Sequence, residues 1–135
     1  MANTSLKIDI CGDVVHADYE RLVLIDLPWP PSVNHYWKAR GKRRFISARA
    51  NAWMDEAVSL VRQARRSLSF TGPVAVVAFL HPPDRRVRDI DNTAKPLLDA
   101  LVKGGLIKSD YQVSLLLLKR EEVLRGGRAR VIVLG

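Results

Sequence analysis

Continuous apolar runs, each about the length of a strand, occur at four places along the chain. Residues 21–27 are apolar apart from Arg21 and Asp26, and residues 74–80 are wholly apolar, which is typical of strands that other elements cover. Residues 113–118 and 129–134 have the same character, and a glycine pair before the last run predicts a turn. The pattern therefore predicts a sheet of about four strands.

A helical repeat of apolar residues separates the first two of these strands. From Trp53 to Leu68, apolar side chains recur every three or four positions and form one stripe. Ser47 is suited to cap the helix, because its hydroxyl can accept a hydrogen bond from a free backbone N–H. We predict a helix of roughly twenty residues that begins after Ser47 and ends near Leu68.

A proline determines where the second helix begins. Pro96 is tolerated only within the first helical turn, since its ring clashes with the carbonyl four residues earlier. The cap is therefore expected near Asn92 or Thr93, which places Asp91 at the mouth of the helix. A following glycine pair is predicted to end the helix.

Two hairpins are predicted outside these elements. Residues 1–20 show a weak alternation of apolar and polar positions and are interpreted as an N-terminal extension with a possible hairpin. Between the first strand and the first helix, Gly41 allows a tight turn between two basic arms. The aromatic residues near this turn, Tyr36, Trp37 and Phe45, are expected to pack at the root of the hairpin. Stacking on nucleic-acid bases is the alternative.

The order of the elements predicts a single mixed α/β (α+β) domain. Strand, basic hairpin, helix, strand, helix, strand and strand follow one another over residues 21–135, without an internal repeat or a linker. A helix between two strands favours a crossover connection, whereas the closing pair favours a hairpin. We therefore expect a mixed β-sheet with helices packed on it, preceded by the extension at residues 1–20.

The charge of the chain indicates the kind of partner. The formal net charge is +8 and the pI is about 10.2, and the basic residues cluster between apolar segments rather than in a tail. A folded basic surface of this kind indicates a polyanionic partner, with nucleic acid as the first candidate. Composition alone also allows a ribosomal protein, a heparin-binding protein or a protein of the membrane surface.

Other function classes are disfavoured by features that the sequence lacks. No apolar run is long enough to span a membrane and no signal-peptide pattern is present, so we expect a cytoplasmic protein without a membrane partner. The absence of a glycine-rich phosphate loop argues against a nucleotide cofactor. Cys11 is the single cysteine and the three histidines are scattered, which argues against a disulfide or a nucleophilic triad.

The candidate chemistry follows the second strand, where aspartates stand among arginines. Asp89 and Asp91 are two positions apart, so in extended chain their carboxylates point the same way and repel each other unless a cation lies between them. Asp110 precedes the third strand and is a third suitable ligand. Carboxylates without a Cys or His pair favour Mg²⁺ or Mn²⁺ over zinc.

A lysine accompanies these acids. Lys95 lies on the first turn of the second helix, where it could stabilise charge that develops on a phosphate or orient the attacking water. Asp99 follows four residues later and could pair with Lys95 along the helix. The alternative interpretation of the aspartates is structural, as turn and cap residues that pair with nearby arginines.

The same residues form a pattern that resembles one protein family. The pattern D-x-D-N-x-x-K-x-x-x-D-A-L begins at Asp89, and D-x-Q-V begins at Asp110. The segments PDRR, from Pro83, and LPWPPSVN, from Leu27, precede them. Together they resemble the RusA family of Holliday junction resolvases, also called crossover junction endodeoxyribonucleases, over about residues 21–134.

The resemblance implies a mechanism and an assembly. It implies that Asp89, Asp91 and Asp110 bind Mg²⁺, for which Mn²⁺ could substitute, and that Lys95 is the catalytic lysine. It also implies a homodimer that binds four-way DNA junctions by their structure and cuts opposing strands with paired, symmetric nicks. Ser109 stands where many relatives carry a further acid, so we expect activity to survive with weaker metal affinity.

Basic residues on two segments are expected to bind the DNA. They are Lys38, Arg40, Lys42, Arg43 and Arg44 of the predicted hairpin, and Arg85, Arg86 and Arg88 beside the aspartates. The alternative function is a non-catalytic basic module that binds branched DNA or structured RNA. A third possibility is a nuclease that acts on flaps or on another branched substrate.

Overall fold

The computed structural model describes residues 4–135, apart from the side chain of His35. Its elements are, in chain order, β1 (Thr4–Ile10), β2 (Asp13–Tyr19), β3 (Leu22–Leu27), α1 (Val33–Tyr36), β4 (Trp37–Arg40), β5 (Arg43–Ile46), α2 (Ala48–Arg65), β6 (Val74–His81), the 3-10 helix η1 (Ile90–Thr93), α3 (Ala94–Lys103), the 3-10 helix η2 (Asp110–Gln112), β7 (Val113–Arg120) and β8 (Arg128–Leu134). The predicted order of strands and helices is confirmed.

The main sheet has four strands in the order β3-β8-β6-β7. Strand β8 pairs antiparallel with both β3 and β6, whereas β6 and β7 are parallel. The parallel pair needs a crossover, and α3 supplies it, because a tight turn can join only antiparallel strands. The prediction of a mixed four-stranded sheet is therefore confirmed, with β7 at one edge.

Both long helices pack on one face of this sheet. Alternate residues of β6, from Val74 to Leu80, point into a core that also includes the apolar stripes of α2 and α3. Trp53 of α2 is buried, and its indole Nε1 donates a hydrogen bond to the carbonyl oxygen of Pro28 at 3.1 Å. The apolar stripe predicted from helical spacing is therefore the buried face of α2.

The first long helix begins where predicted and ends earlier. The hydroxyl of Ser47 accepts a hydrogen bond from the backbone N–H of Ala50 at 3.1 Å, which is the predicted cap. The helix ends at Arg65, three residues before Leu68, because Arg66 adopts a φ of 54° that a right-handed helix cannot continue.

The second long helix is preceded by a separate turn. Pro96 is the third residue of α3, within the first turn as predicted. Thr93 precedes the helix without a side-chain cap, because its hydroxyl donates instead to the carbonyl oxygen of Ile90 at 2.6 Å. Asp91 therefore lies in η1, one short turn ahead of α3, rather than directly at the mouth of the helix.

The N-terminal hairpin packs against the main sheet. Strands β1 and β2 pair antiparallel over their whole length, which confirms the predicted hairpin within residues 4–19. Strand β2 contacts β8, and Ile8 of β1 is only 6% exposed. A two-stranded hairpin alone does not bury a side chain to this extent. The main sheet and the hairpin therefore cover each other in part.

The basic hairpin is also present, with a short helix before it. Strands β4 and β5 pair antiparallel around a turn at Gly41, as predicted. The four-residue helix α1 was not predicted, and it begins because Ser32 accepts a hydrogen bond from the N–H of Asn34. Of the aromatic residues expected to pack, Tyr36 is fully buried. For Trp37 and Phe45 that expectation was wrong, because they lie on a protruding two-stranded element and are 41% and 43% exposed.

None of the helices in residues 4–135 is both long and apolar enough to cross a membrane.

Candidate active site and nucleic-acid interface

Asp89 and Asp91 lie where the chain leaves a loop and enters η1. Asp89 is extended and directly precedes η1, whereas Asp91 lies within it. Both residues are exposed to solvent. An extended chain, as considered from the sequence, would point both side chains the same way. The chain is not extended between them, because the backbone turns at Ile90. The two aspartates therefore stand on either side of this turn rather than on one face of a strand.

Asp110 returns to the same region from the other end of α3. It is the first residue of η2, and α3 contacts both η1 and η2. Its Oδ2 lies 3.7 Å from the Nζ of Lys95, the second residue of α3. The crossover connection accounts for this return, since α3 runs back along the sheet before β7 begins.

Gln112 anchors the loop that carries Asp110. Its Oε1 accepts hydrogen bonds from the backbone N–H groups of Lys108 and Ser109, at 2.7 and 3.2 Å. Its Nε2 donates to the carbonyl oxygens of Phe70 and Gly72, at 2.8 and 3.0 Å. Two of these four hydrogen bonds hold the loop before η2, and the other two tie η2 to the segment that precedes β6. Gln112 belongs to the D-x-Q-V pattern, but its structural role was not evident from the sequence.

Ser109 takes part in the same local arrangement. Its hydroxyl accepts a hydrogen bond from the N–H of Tyr111 at 3.2 Å, and with Gln112 it forms a capping box around η2. Ser109 therefore serves as the cap of the short helix on which Asp110 lies.

Lys95 is held by two carboxylates. Its Nζ lies 2.9 Å from Oδ1 of Asp99, one turn later on α3, which confirms the predicted pairing. The hydrogen bond that Lys95 donates to Asp99, followed by the negative charges of Asp99 and Asp110, raises the pKa of Lys95 against the opposing effect of burial. Lys95 therefore remains a cation at neutral pH, and 48% of its side chain is exposed to an incoming substrate.

The donor atoms at this site are carboxylate oxygens, which suit Mg²⁺ and Mn²⁺. Among the side chains that the structure describes, however, no three Asp, Glu, His or Cys residues lie close enough together to form a metal-binding cluster. The structure thus places Asp89, Asp91, Lys95 and Asp110 on connected elements. Their chemistry fits the ion, and their role as its ligands stays a prediction.

Asp84, which precedes the candidate site in the chain, pairs with two arginines. Asp84 Oδ1 accepts a 2.6 Å hydrogen bond from Arg88 Nη1 and a 2.9 Å hydrogen bond from the N–H of Arg86. The hydrogen bond from Arg88 is the largest influence that lowers the pKa of Asp84 to about 2. The guanidinium of Arg88 also lies 5.9 Å from the ring centre of Trp29. Asp84 therefore has a structural role and orders the loop before Asp89.

Two clefts flank this loop. The larger has a volume of about 490 Å³, and its walls include Trp29, Asn34, Arg49, Arg86, Arg88 and Asp89. The smaller, of about 250 Å³, includes Arg85, Arg120 and Glu121 as well as Arg86, Arg88 and Asp89. Arg86, Arg88 and Asp89 line both clefts and so form a ridge between them.

Two basic side chains outside the predicted set therefore belong to the candidate interface. Arg49 lies in the first turn of α2 and is exposed. Arg120 ends β7, and its guanidinium donates to the carbonyl oxygen of Arg88. Their positions depend on tertiary contacts between distant segments, so no local pattern in the sequence could identify them.

The hairpin β4–β5 presents its basic residues to solvent. All residues from Trp37 to Phe45 are exposed. Lys38 pairs with Phe45, and Arg40 with Arg43. Paired residues of an antiparallel hairpin point to the same side. One face of the hairpin therefore combines three cations with an exposed aromatic ring.

Comparison with known proteins places this geometry in a family. The family model for endodeoxyribonuclease RusA matches residues 28–134. A crossover junction endodeoxyribonuclease RusA from Shigella sonnei is 37% identical over 109 residues, which cover 81% of this chain and 91% of the relative. Relatives of the same name from Escherichia coli K12 and from Enterobacteria phage 82 are both 36% identical with the same coverage. The chain belongs to the RusA family of endodeoxyribonucleases.

Proposed function

We propose that this protein is a metal-dependent, structure-selective endodeoxyribonuclease that resolves Holliday junctions. The observation that carries the proposal is the meeting of η1, α3 and η2, which brings Asp110 to Lys95 beside the turn that holds Asp91. Membership of the RusA family supports the same activity. A DNA substrate would place the activity at the nucleoid, in the cytoplasm.

The proposed cofactor is Mg²⁺, with Mn²⁺ as a substitute, held by Asp89, Asp91 and Asp110. Such an ion would activate water and stabilise the leaving oxygen of the phosphodiester. Lys95 is the cation that the chain itself supplies. Its ammonium group is exposed, remains protonated at neutral pH and can donate to a phosphate oxygen. It would therefore stabilise the charge that develops when the phosphodiester is attacked.

The proposed DNA interface surrounds these residues. The exposed cations of the hairpin β4–β5 and of the loop at residues 85–88 would bind phosphates, which supply most of the affinity of DNA-binding proteins. The predicted set, Lys38, Arg40, Lys42, Arg43, Arg44, Arg85, Arg86 and Arg88, is extended by Arg49 and Arg120. Phosphate contacts orient the substrate without reading its sequence, which suits an enzyme that selects a shape. No nucleotide cofactor is needed for this chemistry.

The proposed assembly is a homodimer. Two active sites are required for paired nicks in opposing strands, and one copy of the chain supplies one set of the proposed residues. Strand β7 is an edge of the main sheet, and its neighbouring side chains Leu115 and Leu116 are 38% and 41% exposed. An apolar edge strand is suited to pairing with a second chain. We place the second copy at this edge.

The decisive experiment uses purified protein and a labelled four-way junction. With Mg²⁺ we expect paired nicks in opposing strands, and with EDTA we expect binding without nicks. Asp91→Asn should bind the junction and fail to cut it, because its basic residues are unchanged. Equal cleavage by Asp91→Asn and the unaltered protein would remove Asp91 from the site.

Two other functions are outcomes of the same assay. Binding without nicks under every metal condition would favour a non-catalytic module for branched DNA or structured RNA. Faster cleavage of flaps than of four-way junctions would favour a nuclease for another branched substrate. A panel with duplex, flap, three-way and four-way DNA separates these outcomes.

A further inference from the structure

A carboxylate outside the proposed metal ligands controls the position of Lys95. Asp99 lies one helical turn after Lys95, and its Oδ1 is 2.9 Å from the Lys95 ammonium. The side chain of Asp99 is only 20% exposed, whereas that of Lys95 is 48% exposed. The ion pair therefore has a fixed, partly buried side and a free side that faces solvent and Asp110.

Asp99 is itself held from a distant part of the chain. The hydroxyl of Tyr36 donates a 3.2 Å hydrogen bond to Oδ2 of Asp99, so each carboxylate oxygen has its own partner. Tyr36 is fully buried at the end of α1. Its backbone carbonyl accepts a hydrogen bond from the N–H of Ser47, the cap of α2, at 3.0 Å. Tyr36 is therefore fixed by packing and by its backbone.

This chain of contacts has a specific effect on an exposed lysine. A lysine side chain has four flexible bonds, so fixing it in one arrangement costs rotamer entropy. A carboxylate that already holds the ammonium reduces this cost before substrate arrives. We propose that Asp99, held by Tyr36, is a positioning residue that fixes the Lys95 ammonium for phosphodiester cleavage. This inference rests on the proposed function and adds two residues to it.

The test separates positioning from substrate binding. We expect Asp99→Asn to lower kcat by roughly 10- to 100-fold, since a hydrogen bond between charged groups is lost, and to leave KM and junction affinity within about twofold. Tyr36→Phe keeps the ring and removes the hydroxyl, so it should lower kcat by about threefold to tenfold. Asp55→Asn removes an exposed aspartate of α2 and should leave both constants unchanged.

A double-mutant cycle identifies the partner of Asp99. In a Lys95→Ala background, Asp99→Asn should lower kcat no further, because there is no ammonium left to position. If Asp99→Asn lowered kcat equally in the unaltered protein and in Lys95→Ala, the inference would be overturned. Full kcat in both Asp99→Asn and Tyr36→Phe would also overturn it. A changed Mg²⁺ dependence in Asp99→Asn would overturn it in favour of a metal-ligand role.

The outcomes also separate this inference from the proposed function. Full cleavage by Lys95→Ala would show that Lys95 has no part in the mechanism. Asp99 would then have no catalytic group to position. Strongly reduced but measurable cleavage by Lys95→Ala, together with full activity of Asp99→Asn, would overturn the positioning role alone. Thermal unfolding of each variant distinguishes lost activity from lost fold, and Tyr36→Phe remains informative if Asp99→Asn does not fold.

Discussion

Arg88 Nη1 lies 2.6 Å from Asp84 Oδ1, and this contact closes the loop that leads from β6 to the candidate active site. The two residues are four positions apart, outside any helix, so their pairing defines the conformation of the loop itself. Asp89 follows directly on Arg88. The position of the first proposed metal ligand therefore depends on an ion pair that does not take part in the chemistry.

This ion pair predicts a pH dependence. The Arg88 hydrogen bond lowers the pKa of Asp84 from 3.8 to about 2. A carboxyl group whose pKa is lower in the folded state contributes stability above its unfolded pKa, and that contribution is lost as the pH falls toward the folded pKa. The pair should therefore persist at pH 5 and be lost between about pH 4 and pH 2.

The measurement is a carboxyl titration followed by nuclear magnetic resonance. Asp84 should titrate near 2 in the unaltered protein, and Arg88→Ala should return its midpoint toward the ordinary range for aspartate. An unchanged midpoint in Arg88→Ala would show that Arg88 is not the cause.

The basic hairpin predicts a salt-dependent loss of DNA affinity. Arg43 is exposed on the face that also carries Lys38 and Phe45. If Arg43 contacts one phosphate, Arg43→Ala should reduce the slope of log K against log salt by about one, and weaken junction binding to a similar extent for every sequence. Arg62→Ala, on the exposed surface of α2, is the matched control. If Arg43→Ala and Arg62→Ala gave equal slopes of log K against log salt, the DNA would bind at a surface other than this hairpin.

The exposed edge of the sheet predicts the effect of a charge on assembly. Leu116 on β7 and Leu124 in the following loop are both 41% exposed. Leu116→Lys should convert the proposed dimer to a monomer in sedimentation experiments, because a charge would have to be buried at the interface. Leu124→Lys should leave the dimer intact. A stable dimer of Leu116→Lys would place the interface at another surface.

Close packing between the two long helices predicts a loss of stability. A Cβ atom at Gly104 would stand 2.4 Å from Val61 Cγ1 and 3.0 Å from the carbonyl oxygen of Ala100. Gly104→Ala should therefore lower the free energy of unfolding by about 1–3 kcal/mol, as overpacked cores do. A Cβ atom at Gly72 would have no atom within 4 Å, so Gly72→Ala should change stability little.

Urea denaturation measures both glycine variants. Val61→Ala should recover only part of the stability in the Gly104→Ala background, because it removes Val61 Cγ1 and keeps Val61 Cβ, which stands 2.6 Å from the new atom. Additive losses in the double variant would indicate that strain at Val61 is not the cause.

Strands and helices that contribute to the core could be predicted from the sequence. The strand containing Val74 and the apolar stripe that begins at Trp53 are both buried, because the period of apolar residues follows from the geometry of each element. The 3-10 helices were not predicted. They depend on individual hydrogen bonds, such as the one between Thr93 and Ile90 and the cap formed by Ser109.

The candidate site likewise contains contacts that could be predicted from the sequence and contacts that could not. Lys95 and Asp99 could be paired from their spacing, since residues four apart lie on one face of a helix. The contact of Tyr36 with Asp99 could not, because 63 positions separate the two residues. The turn at Ile90 also changed the relation of Asp89 to Asp91, which an extended chain would have placed side by side.

The crossover through α3 puts all four proposed catalytic side chains on one uninterrupted segment, from Asp89 to Asp110. The supports of that segment lie outside it, at Tyr36 on one side and at Phe70 and Gly72 on the other. An insertion inside the segment would change the spacing of the catalytic groups themselves. An insertion in an exposed loop elsewhere would leave that spacing intact, so variation in chain length should be tolerated around the site and not within it.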